Sequence, residues 1–317
     1  MKTIDQSQQD LIEALLSDEY TALPPGLLEK DVHVTDVLHA LAQLNYPLVE
    51  LVFCGGTSLS KAHGLIERMS EDIDLKVALD PDHRLSGNGL KTHLSGLKKA
   101  VIETVERLGF NHIDTEDLAR NSNRYFASGW LYESVYQQHN SLRPHLSLEF
   151  TVRTPQFPAA RMPITYLIDR LATRDGASVP MACIAVEETL AEKVLSFLRR
   201  HAEHRAGVRE DWDSTLVRHI YDTYCIVDAD PAAATKAAAH FPELVNFDID
   251  EFPRHADFAA SPRECMTKTL AIVETEEQTK QEYDGRLEPL IYGSMRPRFD
   301  EAFAVFKATA KQLLTTL

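Results

Sequence analysis

Apolar residues set the first elements along the chain. Leu11, Ile12, Leu15 and Leu16 recur at the three-and-four spacing that predicts a helix over residues 7–17. Pro24-Pro25-Gly26 breaks the chain, and Val32, Val37, Leu38, Leu41 and Leu44 form the stripe of a second helix over 27–44. Residues 48–54 are a short run rich in Val and Leu, the pattern of a buried strand. Gly55-Gly56 then predicts a turn, with Thr57 as N-cap of a short helix to about His63. A strand is expected over 73–79, a loop over 81–89, and an amphipathic helix over 90–108 that stops at Gly109. Residues 124–136 and 145–153 alternate polar and apolar, as half-buried strands do. Beyond Pro180 strand signals fade, and 186–206, 212–227, 262–279 and 298–314 all have helical periodicity. The pattern therefore predicts an α+β fold: a mixed sheet with N-terminal helices over 1–185, then a mostly α-helical domain over 186–317.

Composition changes this picture little. The chain has 317 residues, 44% hydrophobic and 26% charged, which suits a packed core rather than disorder. Residues 1–10 are polar and lack the apolar segment of a signal peptide, and no apolar run is long enough to cross a bilayer, so a soluble, cytoplasmic protein with no membrane partner is expected. Cys54, Cys183, Cys225 and Cys265 lie far apart among apolar neighbours and read as reduced thiols. His201 and His204 are spaced i,i+3 without further metal ligands nearby and read as a solvated helix face. The net charge of −15 argues against broad, non-specific binding to nucleic acid. A local patch stays open: Arg199, Arg200, Arg205 and Arg209 make the densest basic segment, to be read either as an RNA-binding surface or as a solvated helix interspersed with Glu203 and Glu210.

Chemistry concentrates where a strand, Gly55-Gly56-Thr57-Ser58, a short helix and Asp72-Ile73-Asp74 follow one another. Glycines let backbone approach a phosphate, and helix-initiating N–H groups are anion donors. The G-K-[ST] ending of a Walker A loop and the G-x-G-x-x-G of a dinucleotide site are both missing. On a strand, Asp72 and Asp74 share one face while Ile73 and Leu75 take the other. Two carboxylates side by side repel unless a cation joins them, and hard oxygens suit Mg²⁺ (or Mn²⁺), which binds nucleotide phosphates in turn. In 146–152, Glu149 alternates away from Leu146, Leu148 and Phe150. If that strand lies beside 73–79, Glu149 completes the metal site; otherwise it is an exposed strand carboxylate.

These residues resemble a known family. Cys54-Gly55-Gly56-Thr57-Ser58-Leu59-Ser60-Lys61 and Arg68-Met69-Ser70-Glu71-Asp72-Ile73-Asp74-Leu75 look like the first two motifs of AbiEii/AbiGii-type nucleotidyltransferase toxins, which include the MenT-type mycobacterial toxins and belong to the DNA polymerase β-like superfamily. Glu187 to Lys193 is similar to the third motif, and Arg218-His219-Ile220-Tyr221-Asp222 to the fourth, which departs from the family pattern at His219 and Thr223. Glu29-Lys30-Asp31, early in the second helix, is also family-like.

The resemblance implies a polymerase β-like nucleotidyltransferase domain, with the helical domain completing an active-site cleft. Gly55, Gly56, Thr57 and Ser58 would hold nucleotide phosphates, joined by Lys61 and Arg218. Asp72 and Asp74 would bind metal, Lys193 would contact phosphate, and Asp222 would orient the reacting groups. Read from spacing alone, Lys193 borders an apolar stripe and either reaches a cleft or snorkels to water. Arg218 and Asp222 at i,i+4 also suit a surface ion pair, and Lys61 a solvated helix. The implied reaction is transfer of NMP from an NTP, with pyrophosphate released, to the 3′ end of tRNA, by a toxin neutralised by a separately encoded antitoxin. The alternatives are a small-molecule or protein acceptor, or a non-enzymatic nucleotide-sensing module.

Overall fold

The computed structural model describes residues 1–138 and 143–317. The chain forms two compact units, one of Met1–Gly64 with Met69–Ile184, the other of Leu65–Arg68 with Ala185–Leu317.

The first unit is built on a seven-stranded mixed sheet of order β3-β4-β5-β2-β1-β7-β6. Its strands are β1 (Val49–Cys54), β2 (Asp72–Leu79), β3 (Asn111–Arg120), β4 (Tyr125–Leu131), β5 (Leu146–Val152), β6 (Ala160–Thr165) and β7 (Ser178–Cys183). β2 runs antiparallel to β1 and parallel to β5. Its helices are α1 (Gln6–Ser17), α2 (Pro25–Ala42), α3 (Gly55–Lys61), α4 (Gly87–Arg107) and α5 (Leu167–Leu171). α1 starts at a capping box in which Asp5 accepts from the Gln8 backbone and Gln8 returns the bond.

The core lies between α2, α4 and one face of the sheet. Val34, Val37, Leu38 and Leu41 of α2 and Leu90, Leu94, Leu97, Val101 and Val105 of α4 meet Ile73, Leu75 and Val77 of β2 and Leu146, Leu148 and Phe150 of β5. That burial fixes the register: with every second residue of β2 and β5 in the core, Asp72, Asp74 and Glu149 must point from the opposite face.

Three strands depart from the sequence expectation. β3 is a polar edge strand with a register shift between Ile113 and Leu118, so little apolar alternation marks it. β6 and β7 contain Pro163 and Pro180, which ordinarily demote a strand. Here the two prolines stand opposite each other. Opposed residues in an antiparallel pair alternate between bonded and unbonded positions, and two residues without N–H groups fit the unbonded one.

The second unit contains α6 (Val186–Arg205), α7 (Val217–Ala229), α8 (Ala233–Ala238), α9 (Phe241–Glu251), α10 (Ala256–Ala260), α11 (Pro262–Val273), α12 (Glu277–Glu282) and α13 (Phe299–Leu314). The helix expected over 262–279 is two, α11 and α12, and α8 to α10 fill a stretch for which no element was expected. Phe197 of α6 packs edge-on against Phe306 of α13 at 4.8 Å, within a core that also buries Leu190, Val194, Ile220, Tyr221 and Leu313. Leu65–Arg68 is threaded into this unit: the Tyr292 and Gly293 amides donate to the Glu67 carbonyl, and Arg68 forms a β-bridge with Ile291. Among the described residues no helix is long and apolar enough to cross a membrane. All four cysteines are free; Cys54, Cys183 and Cys225 are buried and Cys265 is half-buried.

Candidate active site

β1 delivers the chain straight into α3, which begins at Gly55 itself rather than after a glycine turn. Thr57 is therefore inside the helix and not its N-cap. Its buried hydroxyl donates to the Asp72 carbonyl at 2.6 Å and lies 2.9 Å from the Ser70 hydroxyl, stitching α3 to the start of β2. Gly55 has φ +76°, and a Cβ there would come 2.2 Å from an Asp74 carboxylate oxygen. Glycine is required at this position twice over, by backbone conformation and by the approach of that carboxylate.

The carboxylates stand as strand geometry demands. Cys54 is paired with Asp74, and Asp74 with Glu149 across the parallel β2–β5 pair, so the condition that β5 adjoin β2 is met. Asp72, Asp74 and Glu149 are all half-buried. Glu149 accepts from the Tyr125 hydroxyl at 2.9 Å. Burial, followed by the charge of Glu149, raises the Tyr125 phenol far above its ordinary range, so it stays a donor. Asp72 accepts from the Arg143 guanidinium at 2.9 Å.

Among the described residues no three His, Cys, Asp or Glu side chains converge as a ready-made metal cage, because the Glu149 side chain is turned to Tyr125 and Asp72 to Arg143. Glu149 is the cross-strand neighbour of Asp74, with its side chain bonded to Tyr125. The donors still suit a hard cation. Mg²⁺ commonly takes one or two carboxylates and completes its shell with substrate phosphates and water, and the guanidinium on Asp72 already shows that the face accepts positive charge.

Two of the expected phosphate ligands face elsewhere. Ser58 is 0% exposed, and its hydroxyl has no well-formed hydrogen bond among the described residues; its polar neighbour is the Cys183 thiol. The helical turn that puts Thr57 toward Ser70 sends Ser58 into the interior. Lys61 is likewise buried, paired with Asp31 at 2.7 Å and 3.4 Å from the Thr165 carbonyl, and so is not the solvated helix residue that spacing allowed.

Asp31 belongs to a set that sequence reasoning noted without assigning. Glu29 accepts from the Ser134 hydroxyl and the Val135 and Tyr136 amides, Lys30 from the same turn pairs with Glu71 and donates to the Arg143 carbonyl, and Asp31 accepts from Lys61 and the Leu167 amide. Each member fixes a different segment around α3 and β2. The available signal was three charges in a row between Leu27-Leu28 and Val32 of α2, a run that is buried here.

In the helical unit, Asp222 and Lys193 are joined at 2.5 Å. Arg68 grips the same carboxylate through both oxygens, at 2.7 and 2.6 Å. Asp222 is 0% exposed, so the surface pair with Arg218 allowed by spacing does not describe it, and Lys193 does not snorkel to water. Burial opposes ionisation of Asp222, yet Arg68 and Lys193 outweigh it and hold the carboxyl below its ordinary range. His219 is pushed well below its ordinary range, first by burial and then by the Lys193 charge; both its ring nitrogens are sealed and have no hydrogen-bond partner among the described residues. Arg218 is half-buried on α7. Arg68 is the member sequence reasoning left without a role, and nothing in the spacing of positions 68 and 222 signals their contact.

The basic segment is neutralised. Arg199 pairs with Glu203 and Asp248, Arg200 with Asp213, Arg205 with Glu276 at 3.5 Å and Arg209 with Asp213 at 3.8 Å. Both readings of the segment, RNA surface or helix interspersed with acids, meet a structure in which each arginine answers a carboxylate, with Arg199 buried and Arg205 and Arg209 nearly half exposed. His201 is buried against Glu276 rather than on a solvated face.

The family model for the nucleotidyl transferase AbiEii toxin, type IV TA system, matches residues 40–305. Among solved structures, MenT4, the nucleotidyltransferase toxin Rv2826c from Mycobacterium tuberculosis H37Rv, is similar with a TM-score of 0.58 and 18% identity, covering 99% of this chain and 91% of that one, a likeness that speaks for the fold. No curated protein matches. Since the family model spans α3, β2, β5, α6 and α7 and most of the remaining chain, this protein belongs to the AbiEii nucleotidyl transferase toxin family.

Proposed function

We propose that this nucleotidyltransferase moves a nucleoside monophosphate from an NTP to the 3′ end of tRNA in a Mg²⁺-dependent reaction, and that a separately encoded antitoxin restrains it. The observation that carries the reading is the pair Asp72 and Asp74 on one half-open sheet face, against the Gly55–Gly56 start of α3. Asp72 and Asp74 would hold the cation, with Glu149 and Tyr125 beside them. A bound divalent cation supplies positive charge to the triphosphate and eases departure of pyrophosphate. The missing side chain of Gly55 lets the Asp74 carboxylate stand against the start of α3, where the phosphates would meet the cation. Thr57 keeps α3 and β2 in register, so the carboxylates do not need to reorganise when the nucleotide arrives.

Lys61, Lys193, Asp222 and Arg218 enter this reading by residue type and order within the family. Lys61 braces α3 through Asp31. Asp222 is a positioning residue that holds Arg68 and Lys193, because a sealed and saturated carboxylate does not reach reacting atoms. A small-molecule acceptor is the second reading. The net charge of −15 and the neutralised arginines of α6 and the segment after it favour it.

The test is incubation with each labelled NTP and purified tRNA, with Mg²⁺ or with EDTA. Label joined to the tRNA 3′ end, lost in EDTA and in Asp72→Ala, is the expected result. NTP turnover that needs the cation yet leaves tRNA unlabelled would sink the tRNA reading and favour the small acceptor. Transfer that persists in EDTA would sink the metal role.

A further inference from the structure

Arg143 joins two opposite properties. Its backbone is anchored on both sides: the amide donates to the Glu71 carboxylate at 3.1 Å, and the carbonyl accepts from Lys30, itself buried in a pair with Glu71. Its side chain, by contrast, is 48% exposed and bonds Asp72, which is 31% exposed, through one guanidinium nitrogen at 2.9 Å. A single bond in that setting is weak, because water screens it and the flexible side chain loses freedom in making it. Of the other cations, Lys30, whose charge reaches Asp72, is buried and committed to Glu71, and Lys76, on the same face of β2 as Asp72 and Asp74, is only 4% exposed. Arg143 is held at its root and loosely paired at its tip.

Building on the Asp72/Asp74 cation site proposed above, we infer that Arg143 is a triphosphate-binding residue of the nucleotide site, standing on Asp72 until cation and nucleotide arrive together. The electrostatics follow in two steps. A divalent cation on Asp72 and Asp74 competes with the guanidinium for the same oxygen and repels it. The guanidinium, released but still rooted at the site, then meets the phosphates that the cation brings. Arginine suits this task because its planar fork matches phosphate oxygens. In the resting protein it also lessens the repulsion between two adjacent carboxylates. No covalent step is involved.

The two halves of the inference predict opposite changes in one variant. In Arg143→Ala, affinity for Mn²⁺ alone should rise about two- to fivefold, the worth of a half-exposed ion pair. Affinity for a non-hydrolysable NTP analogue with Mn²⁺ present should fall about tenfold or more, the worth of a charged hydrogen bond. Arg143→Lys should recover part of the nucleotide affinity, since it keeps charge but not the fork. Calorimetry with Mn²⁺ alone, the analogue with Mn²⁺, and tRNA alone gives the three readings, and Asp72→Asn serves as control. Equal nucleotide affinity in wild type and Arg143→Ala, with the wild type binding both ligands, would overturn the role while leaving the metal site standing. Joint loss of both affinities would make Arg143 a structural prop. A change confined to tRNA would assign the guanidinium to acceptor phosphates instead. Wild-type protein that binds Mn²⁺ no better than Asp72→Asn would remove the metal site, and the exchange with it.

Discussion

Asp72 and Asp222 each face an arginine, and their surroundings differ in almost every other respect. Asp72 sits on a half-open sheet face beside Asp74, with one oxygen bonded to a half-exposed guanidinium. Asp222 is sealed, with both oxygens taken by Arg68 and one shared with Lys193. The first carboxylate lies beside another on an accessible face. The second is buried, with positive charge on both of its oxygens. Family order marks both residues equally; burial and saturation separate the two.

The largest effect should come from the closed site. Asp222→Asn leaves Arg68 and Lys193 buried without a counter-charge and should cost about 3–5 kcal/mol of stability, read from urea unfolding followed by circular dichroism. The folded pKa of Asp222 is depressed, so its stabilisation is complete above the unfolded value of about 4 and is lost only as pH falls through the lower folded value. The wild-type protein should therefore keep this contribution at mild acidity, where Asp222→Asn is already weak. A fully stable Asp222→Asn that has lost activity would reverse the comparison and make Asp222 a reacting group.

Asp74→Asn should do the opposite. Loss of a metal ligand should lower nucleotide transfer at least about a hundredfold, more than is typical for residues behind the ligands, with the urea midpoint nearly unchanged. An unfolded variant would show that the open site is structural after all.

Gly55→Ala probes how closely the two elements of the open site approach. The left-handed backbone alone costs an alanine about 1–2 kcal/mol, and its methyl would press on Asp74. Stability should fall by that amount and Mn²⁺ affinity should fall with it. A stable variant with normal Mn²⁺ binding would mean that Asp74 can move aside freely.

The smallest effect is expected from Arg205→Glu with Arg209→Glu. Both arginines answer nearby carboxylates, Glu276 and Asp213. If neither meets a phosphate, tRNA affinity across a salt series should overlay the wild type; two lost phosphate contacts would shift the slope of log K by about 1.8. That shift would restore the segment as an RNA surface.

Much of the open site was legible because it rests on local rules. Alternation along 73–79 places Asp72 and Asp74 on one face, and alternation along 146–152 sets Glu149 opposite its apolar neighbours; that β5 lies beside β2, bringing Glu149 next to Asp74, came only from the structure. The Gly55-Gly56 step marks a position where backbone comes close to something. Reading Thr57 as an N-cap failed by three residues, since α3 starts at Gly55 with Cys54 as its N-cap, and the hydroxyl serves Ser70 and Asp72 instead. That Ser58 and Lys61 are buried was not legible for a related reason: on a seven-residue helix, a small change in phase decides which side chains enter the core.

The sequence alone determined the α+β class, the helices around the early core, and the D-x-D face beside a glycine-started helix, because dihedral preference and hydrophobic period act over a few neighbouring residues. Only the tertiary structure decided which charges meet. Arg68 finds Asp222 across 154 positions and Arg143 finds Asp72 across 71. The arginines of α6 and the segment after it find carboxylates that cancel them. An ion pair depends on distances of a few ångströms and on the water excluded around it, and both arise from long-range packing that no local spacing encodes.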